Sequence, residues 1–300
     1  MILESDDFLE NDREPIQSDY CTINFCTQKS TGRKCVQKQF PHKEKGEPMR
    51  KSYRHAIRIL SKVDHPAIVP FIGYYEKDNS VFLIEEEIEK GNLSGIISNI
   101  IENGDRDPLW DDTHKLIISY GISCAMEYLH KKLIIHREIC PDNILLDSEL
   151  HPYLADFQLS MKAKLIHDRE QIVSAISPLY AAPEYLINPF SASSTSKLDV
   201  YSYGMTVYSI ITELFPFNNC KNKSKVLQDV IHDVRPALPE DVPSHWKELI
   251  TNCWKKDPKE RPTFTEICDT LESDDFMNGS ISRHVFENYK RAVKPLRSSD

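Results

Sequence analysis

Two stretches carry side chains that could do polar chemistry. "HREICPDNILLD" (136–147) holds His136, Glu138 and Asn143, and "ADFQLS" (155–160) follows with Asp156. A carboxylate and a carboxamide oxygen are hard donors that suit Mg²⁺, an ion that keeps several of its own waters. Glu138 is a carboxylate of the kind that serves as a general base. A third stretch, "CVQK" (35–38), adds Lys38 inside an apolar, strand-like run. Taken singly, each has a plainer reading. A strand lysine is usually solvated, and an isolated Asp-Phe pair carries no message.

The elements around these residues change character along the chain. "CTINFCTQKS", "KCVQKQF", "IVPFIGYYEKD" and "SVFLIEEEI" are rich in β-branched and aromatic residues and broken by polar turns, which predicts strands. Between the second and third, Ala56, Ile57, Leu60 and Val63 recur at helical spacing, and His65-Pro66 ends the run. After Gly91 the pattern becomes helical. "WDDTHKLIISYGISCAMEYLHKK" has Asp112 or Thr113 as its expected cap, with Leu116, Ile117, Tyr120, Ala125 and Leu129 along one stripe. "KLDVYSYGMTVYSIITELF" and "VPSHWKELITNCWKK" read as further helices, and "NPFSASSTSK" as a surface loop. No internal repeat is present.

Composition narrows the function. The 300 residues suit one large domain or two lobes. A net charge of −9 argues against nucleic acid or an anionic membrane as partner. The acidic start "MILESDDFLENDREP" lacks the layout of a signal peptide. No apolar run is long enough to span a bilayer, so a cytoplasmic location is expected. The eight cysteines include no C-x-x-C pair, which favours reduced, packed thiols over a zinc site.

In this order the motifs resemble the eukaryotic protein kinase family over residues 13–271, and within it the tyrosine-kinase-like branch of serine/threonine kinases. "CVQK" is similar to the V-A-I-K strand, "HREICPDNILLD" to the catalytic loop H-R-D-L-x-x-x-N, "ADFQLS" to the D-F-G segment and "SPLYAAPEYL" to the end of the activation segment. "HPAIVPFIGYY", "EEEIEKGNLSGII", "KLDVYSYGM" and "CWKKDPKERPTFTEI" resemble the flanking signatures. The resemblance implies an α+β, bilobal kinase fold. An acidic tail would occupy 1–12, a β-rich lobe about 13–90, a helical lobe about 91–271 and a polar tail 272–300. It further implies ATP and Mg²⁺ as cofactors and a protein as substrate or partner; the oligomeric state stays open.

Mapped residue by residue, the resemblance assigns catalytic places to Lys38, Glu138, Asn143 and Asp156, with Asn143 and Asp156 as metal ligands. Ile16, Ser18, Cys21 and Ile23 fall on the glycine-rich loop, with Tyr20 at its aromatic tip. Val36, Glu86, Ile88 and Leu145 fall around the nucleotide. The departures are chemical. Glycine lets backbone N–H groups approach phosphate, and β-branched Ile16 does not. A plain hairpin is therefore expected in place of a phosphate clamp. The helix glutamate that pairs with the lysine in this family is Ala56, and Glu44 and Glu47 lie too early to replace it. Lys38 is therefore expected beside Asp156 or beside Glu85 at the gatekeeper position. Glu138 replaces the catalytic Asp, Cys140 the phosphate-steadying lysine, and Gln158 the glycine after Asp-Phe.

Phosphoryl transfer depends on positioning and charge neutralisation. Misplacing a base by about 1 Å costs on the order of a hundredfold, and losing an electrostatic stabiliser roughly 10²–10³-fold. Three losses of about 2 kcal/mol each lower the rate by roughly four orders of magnitude. By contrast, Glu184, Arg261, Asp199 and His136 match residues that hold the helical lobe together in the family. Three readings follow. One is a pseudokinase acting as scaffold or switch in signalling. Another is an active serine/threonine kinase with atypical residues, the class suggested by Ser177 and by the lack of a Trp before "APE". The third is a nucleotide-sensing switch that binds ATP without transferring phosphate.

Overall fold

The computed structural model describes residues 1–18, 21–41, 46–162, 177–188, 195–220 and 222–293. Tyr20, Glu44 and most of "NPFSASSTSK" lie outside these residues, as does the side chain of Glu47. The first lobe is built on β1 (Phe8–Glu10), β2 (Ile16–Gln17), β3 (Thr22–Gln28), β4 (Lys34–Pro41), helix α1 (Gly46–Leu60), β5 (Phe71–Lys77) and β6 (Ser80–Glu86). The strands form one six-stranded sheet in the order β1-β3-β4-β6-β5, with β2 also on β3, and every pairing is antiparallel.

Period-two alternation divides this sheet into two faces. Phe40, Val81 and Leu83 join the main core with Tyr53, Ala56, Ile59 and Leu60 of α1. Cys26, Cys35, Phe82 and Ile84 fall on the other face, in a separate cluster with Phe8 and Tyr75. Val36 stands opposite Glu85 and Lys38 opposite Leu83 in the β4–β6 register, so all four share the α1 face. The fold thereby brings an acid and a base to the same wall of the cleft.

The second lobe holds α2 (Leu93–Asn103), α3 (Asp112–Lys131), β7 (Ile134–Ile135), β8 (Ile144–Leu146), β9 (Pro152–Leu154), β10 (Met161–Lys162), α4 (Pro183–Ile187), α5 (Lys197–Thr212), α6 (Lys223–Ile231), α7 (Ser244–Cys253), α8 (Phe264–Leu271) and α9 (Arg283–Val293). Helix α3 is buried along nearly its whole length and forms the axis of the lobe. Its cap is Asp111, whose carboxylate accepts from the His114 N–H, one residue before the expected cap. Arg261 reaches Glu184 through two parallel bonds of 2.6 and 2.8 Å and is itself fully buried.

Both expected tails are structured within the described residues, and the first of them adds β1 to the sheet. Residues 8–10 pair with β3, while Met1 and Leu3 exchange backbone bonds of 3.0 and 2.8 Å with Tyr74. Three paired residues are too few to show alternation in a sequence. At the other end, α9 seats Phe286, Tyr289 and Val293 in the core. Phe286 meets the Tyr120 ring edge-on at 5.2 Å, and Tyr289 stacks on His151 at 4.8 Å. The amphipathic spacing was present there, but the polar composition concealed it.

Candidate active site

The site lies where the first sheet faces the loops after β7 and β9. Asp199, fully buried on α5, organises the first of these loops. Its carboxylate accepts from the backbone N–H of His136 at 2.9 Å and of Arg137 at 2.7 Å, and contacts His130 Nε2 at 2.8 Å. His136 in turn bridges to the Ala155 carbonyl at 3.1 Å and meets the Phe157 ring edge-on at 4.9 Å. Burial, against the nearby Asp199 charge, lowers the His136 pKa and keeps the ring neutral. The two loops are thus clamped together, and Arg137 and Asp156 adopt left-handed backbone, φ 73° and 62°.

Within this frame Asn143 Nδ2 donates to the Glu138 carbonyl at 2.8 Å, and the Ala155 N–H donates to the Asn143 carbonyl at 2.9 Å. The carboxamide oxygen of Asn143 and the Asp156 carboxylate are the hard donors of the site. Burial and the negative charge of Asp156 push the Glu138 carboxyl well above the ordinary carboxylate range; a hydrogen bond from Asn143 opposes them only in part. Cys140, where a cation would help, is a buried thiol raised far above its usual range by burial and by Glu138 and Asp142. It offers neither charge nor nucleophilicity.

Lys38 pairs with Glu85, Nζ to Oε2 at 3.0 Å, with both side chains nearly buried. Desolvation pulls the ammonium down, but the Glu85 and Asp156 charges outweigh it and hold its pKa above the free-lysine value. The expected partner is thus Glu85, while Asp156 acts at longer range. Ala56 lies buried on α1.

The phosphate-cradle positions form a hairpin. Ile16 pairs with Ile23 and Gln17 with Thr22, and the Ser18 N–H donates to the Cys21 carbonyl at 3.0 Å. Ile16 is 53% exposed, whereas Cys21 turns inward, only 5% exposed, with its thiol 3.4 Å from Ser18 Oγ. Ile23, Val36 and Leu145 are half-buried, as an apolar cleft lining would be, and Glu86 at the end of β6 and Ile88 on the connecting segment have the same partial exposure.

One feature went unread in the sequence. Arg13 lays its guanidinium 3.5 Å over the Phe25 ring and pairs with Glu87, tying the chain before β2 to the segment between the lobes. Phe25 stands opposite Val36 in the β3–β4 register. Only the fold brings residues 13, 25 and 87 together, and no spacing rule in the sequence signals it.

A small antiparallel sheet with one helix, a helical lobe, and a lysine, an asparagine and an aspartate converging between them define a protein kinase. The chain matches the protein kinase domain over residues 17–271, and it belongs to that family. It is 33% identical over 217 residues to a dual specificity protein kinase of Dictyostelium discoideum, covering 72% of this chain and 15% of that protein. A serine/threonine/tyrosine-protein kinase of Arabidopsis thaliana is 28% identical over 237 residues, 78% of this chain and 58% of that protein. A serine/threonine-protein kinase of Rattus norvegicus is 28% identical over 247 residues, 81% of this chain and 28% of that protein. The chain therefore spans well under two thirds of these relatives. Among the described residues no helix is long and apolar enough to cross a membrane.

Proposed function

We propose that this chain is a catalytically impaired kinase domain that works in cytoplasmic signalling as a scaffold or allosteric switch. The observation that carries the reading is the buried Lys38–Glu85 pair. In an active kinase a glutamate from the helix holds the strand lysine from behind while the ammonium reaches the phosphate oxygens. Here Ala56 leaves the helix without that glutamate, and the counter-charge comes from Glu85 on the neighbouring strand, which draws the ammonium towards the sheet and adds a carboxylate behind the nucleotide pocket. Glu138 carries its carboxylate one methylene further out than the aspartate of this family, and Cys140 supplies no cation. Each change opposes a different requirement of phosphoryl transfer.

Asn143 and Asp156 nevertheless fit Mg²⁺, since both offer oxygen donors and neither oxygen is taken by an ion pair among the described residues. These two side chains would hold the ion, which when bound neutralises phosphate charge. ATP binding without transfer is thus compatible with the scaffold reading. The alternative, a slow serine/threonine kinase, draws on the names of the relatives. Thermal unfolding with ATP, with and without Mg²⁺, combined with a radiolabelled phosphotransfer assay, tests the proposal. A ligand at a hundred times its Kd stabilises by about 2.7 kcal/mol, well within detection. Absent or marginal transfer is expected. Robust Mg²⁺-dependent phosphorylation of a protein acceptor would overturn the proposal.

A further inference from the structure

Helix α1 is the basic exception in an acidic protein. The chain carries a net charge of −9, yet residues 43–62 hold seven lysines and arginines against two glutamates. The inner face of the helix is apolar, with Tyr53, Ala56, Ile59 and Leu60 in the core. On the outer face Arg54 and Arg58 stand one turn apart, both exposed. Lys62, also exposed, follows in the closing turn, where its N–H donates to the Ile59 carbonyl at 2.9 Å. Among the described residues none of these three side chains forms an ion pair.

Cations at a helix C-terminus complement its dipole, which accounts for Arg58 and Lys62. It does not account for Arg54, a full turn earlier, where a like charge four residues from Arg58 destabilises the helix. Among the described residues no carboxylate of the acidic N-terminal segment pairs with these three side chains, and Asp7 is taken up by Gln28, Ser30 and the Ser30 N–H.

We propose that the outer face of α1 docks an acidic, extended segment of a partner protein. Arg54 and Arg58 are about 6 Å apart along the helix, and Lys62 follows just beyond its end. Alternate residues of an extended segment repeat at about 6.6 Å, so glutamates or aspartates at every second position meet Arg54, Arg58 and Lys62 in register. A membrane or a nucleic acid presents negative charge over a wide area and would face the acidic remainder of the molecule as well. A short acidic segment meets only the local stripe, within the screening length of about 8 Å in physiological salt.

The test measures anisotropy of a labelled nine-residue peptide with glutamate at every second position against the full chain. Binding at low salt that weakens as salt is raised is expected. The triple variant Arg54→Ala/Arg58→Ala/Lys62→Ala should bind about tenfold more weakly, since three surface ion pairs together amount to about that factor. Its melting temperature should be nearly unchanged, because the lost dipole stabilisation is offset by relief of the Arg54–Arg58 repulsion and by the helix propensity of alanine. The single reversal Arg58→Glu should also weaken the acidic peptide and be rescued by a peptide with lysine at the central position. Equal binding by the triple variant overturns the proposal. So does tighter binding to phosphatidylserine vesicles or duplex DNA through the same three residues, or a salt-sensitive dimer lost in the triple variant, which would assign the face to a second copy.

Discussion

A buried ammonium keeps its charge only where a carboxylate shares its surroundings. Lys38 was legible for that reason: with Ala56 on the helix, a partner had to come from the cleft, and two carboxylates were in range. The β4–β6 register then decides between them, because Glu85 sits on the same face only two residues from the position opposite Lys38. Replacing Glu85 by leucine keeps the volume and leaves the lysine buried without its nearest counter-charge. The expected loss of stability is about 3 kcal/mol, the lower end for breaking a buried pair, read as a lower urea midpoint at unchanged slope. A variant as stable as the parent would show that Asp156 suffices alone.

His65 gives a second expectation at this scale. Its Nδ1 accepts from the Ala67 N–H at 3.1 Å, its ring lies 5.2 Å from that of Tyr128, and burial lowers its pKa to about 4. The unfolded ring takes up a proton near pH 6.5, the folded ring only near 4. Stability contributed by the neutral ring is therefore full above pH 6.5 and is lost as pH falls towards 4, by up to about 3 kcal/mol. His65→Phe should flatten the pH dependence of unfolding across that window. An unchanged slope would place the acid sensitivity elsewhere, with the buried His136 next in line.

Among the elements, long periodic helices and aromatic strands were readable because their burial pattern is written many times over. The short terminal elements were not. The strand at residues 8–10 has too few residues to alternate, and α9 hides three core positions among charged ones. The hairpin replacing the glycine-rich loop was readable from the lost glycines, but the inward turn of Cys21 was not, since it depends on the Ser18 bond at the tip. Helix α9 is held by a close approach at Gly121 of α3. A Cβ there would lie 2.2 Å from the Tyr289 hydroxyl oxygen and 2.5 Å from Pro152 Cγ. Gly121→Ala should therefore displace α9 despite raising helix propensity, lowering stability by about 1–3 kcal/mol. Faster amide exchange across residues 283–293 would locate the effect. If the substitution stabilises instead, the helix is not seated as described.

At the scale of the whole molecule, the residues that shape the lobes and those that do chemistry have parted company. The Glu184–Arg261 fork, the Asp199 clamp and the His136 bridge are complete, so the frame of the helical lobe is intact around the altered site. The lapses are spread over both lobes: the hairpin at Ile16–Cys21, the pair at Lys38, and the loop at Glu138 and Cys140. Repairing any one of them should leave the others limiting. Glu138→Asp shortens the side chain to the length a kinase base normally has, yet Lys38 stays engaged by Glu85 and Cys140 stays uncharged. Phosphotransfer by this variant should remain far below ordinary kinase rates of roughly 1–100 s⁻¹, measured with radiolabelled ATP and Mg²⁺. Robust activity from that one change would show that the remaining departures are tolerated and would sink the scaffold reading. Asp156→Ala completes the comparison. Asp156 is the charged member of the metal pair, and Asn143 contributes only a dipole. Any Mg²⁺-dependent stabilisation by ATP seen in the parent should vanish in the variant, while ATP stabilisation that survives would have to be metal-independent, carried by Lys38 and the apolar walls at Ile23, Val36 and Leu145.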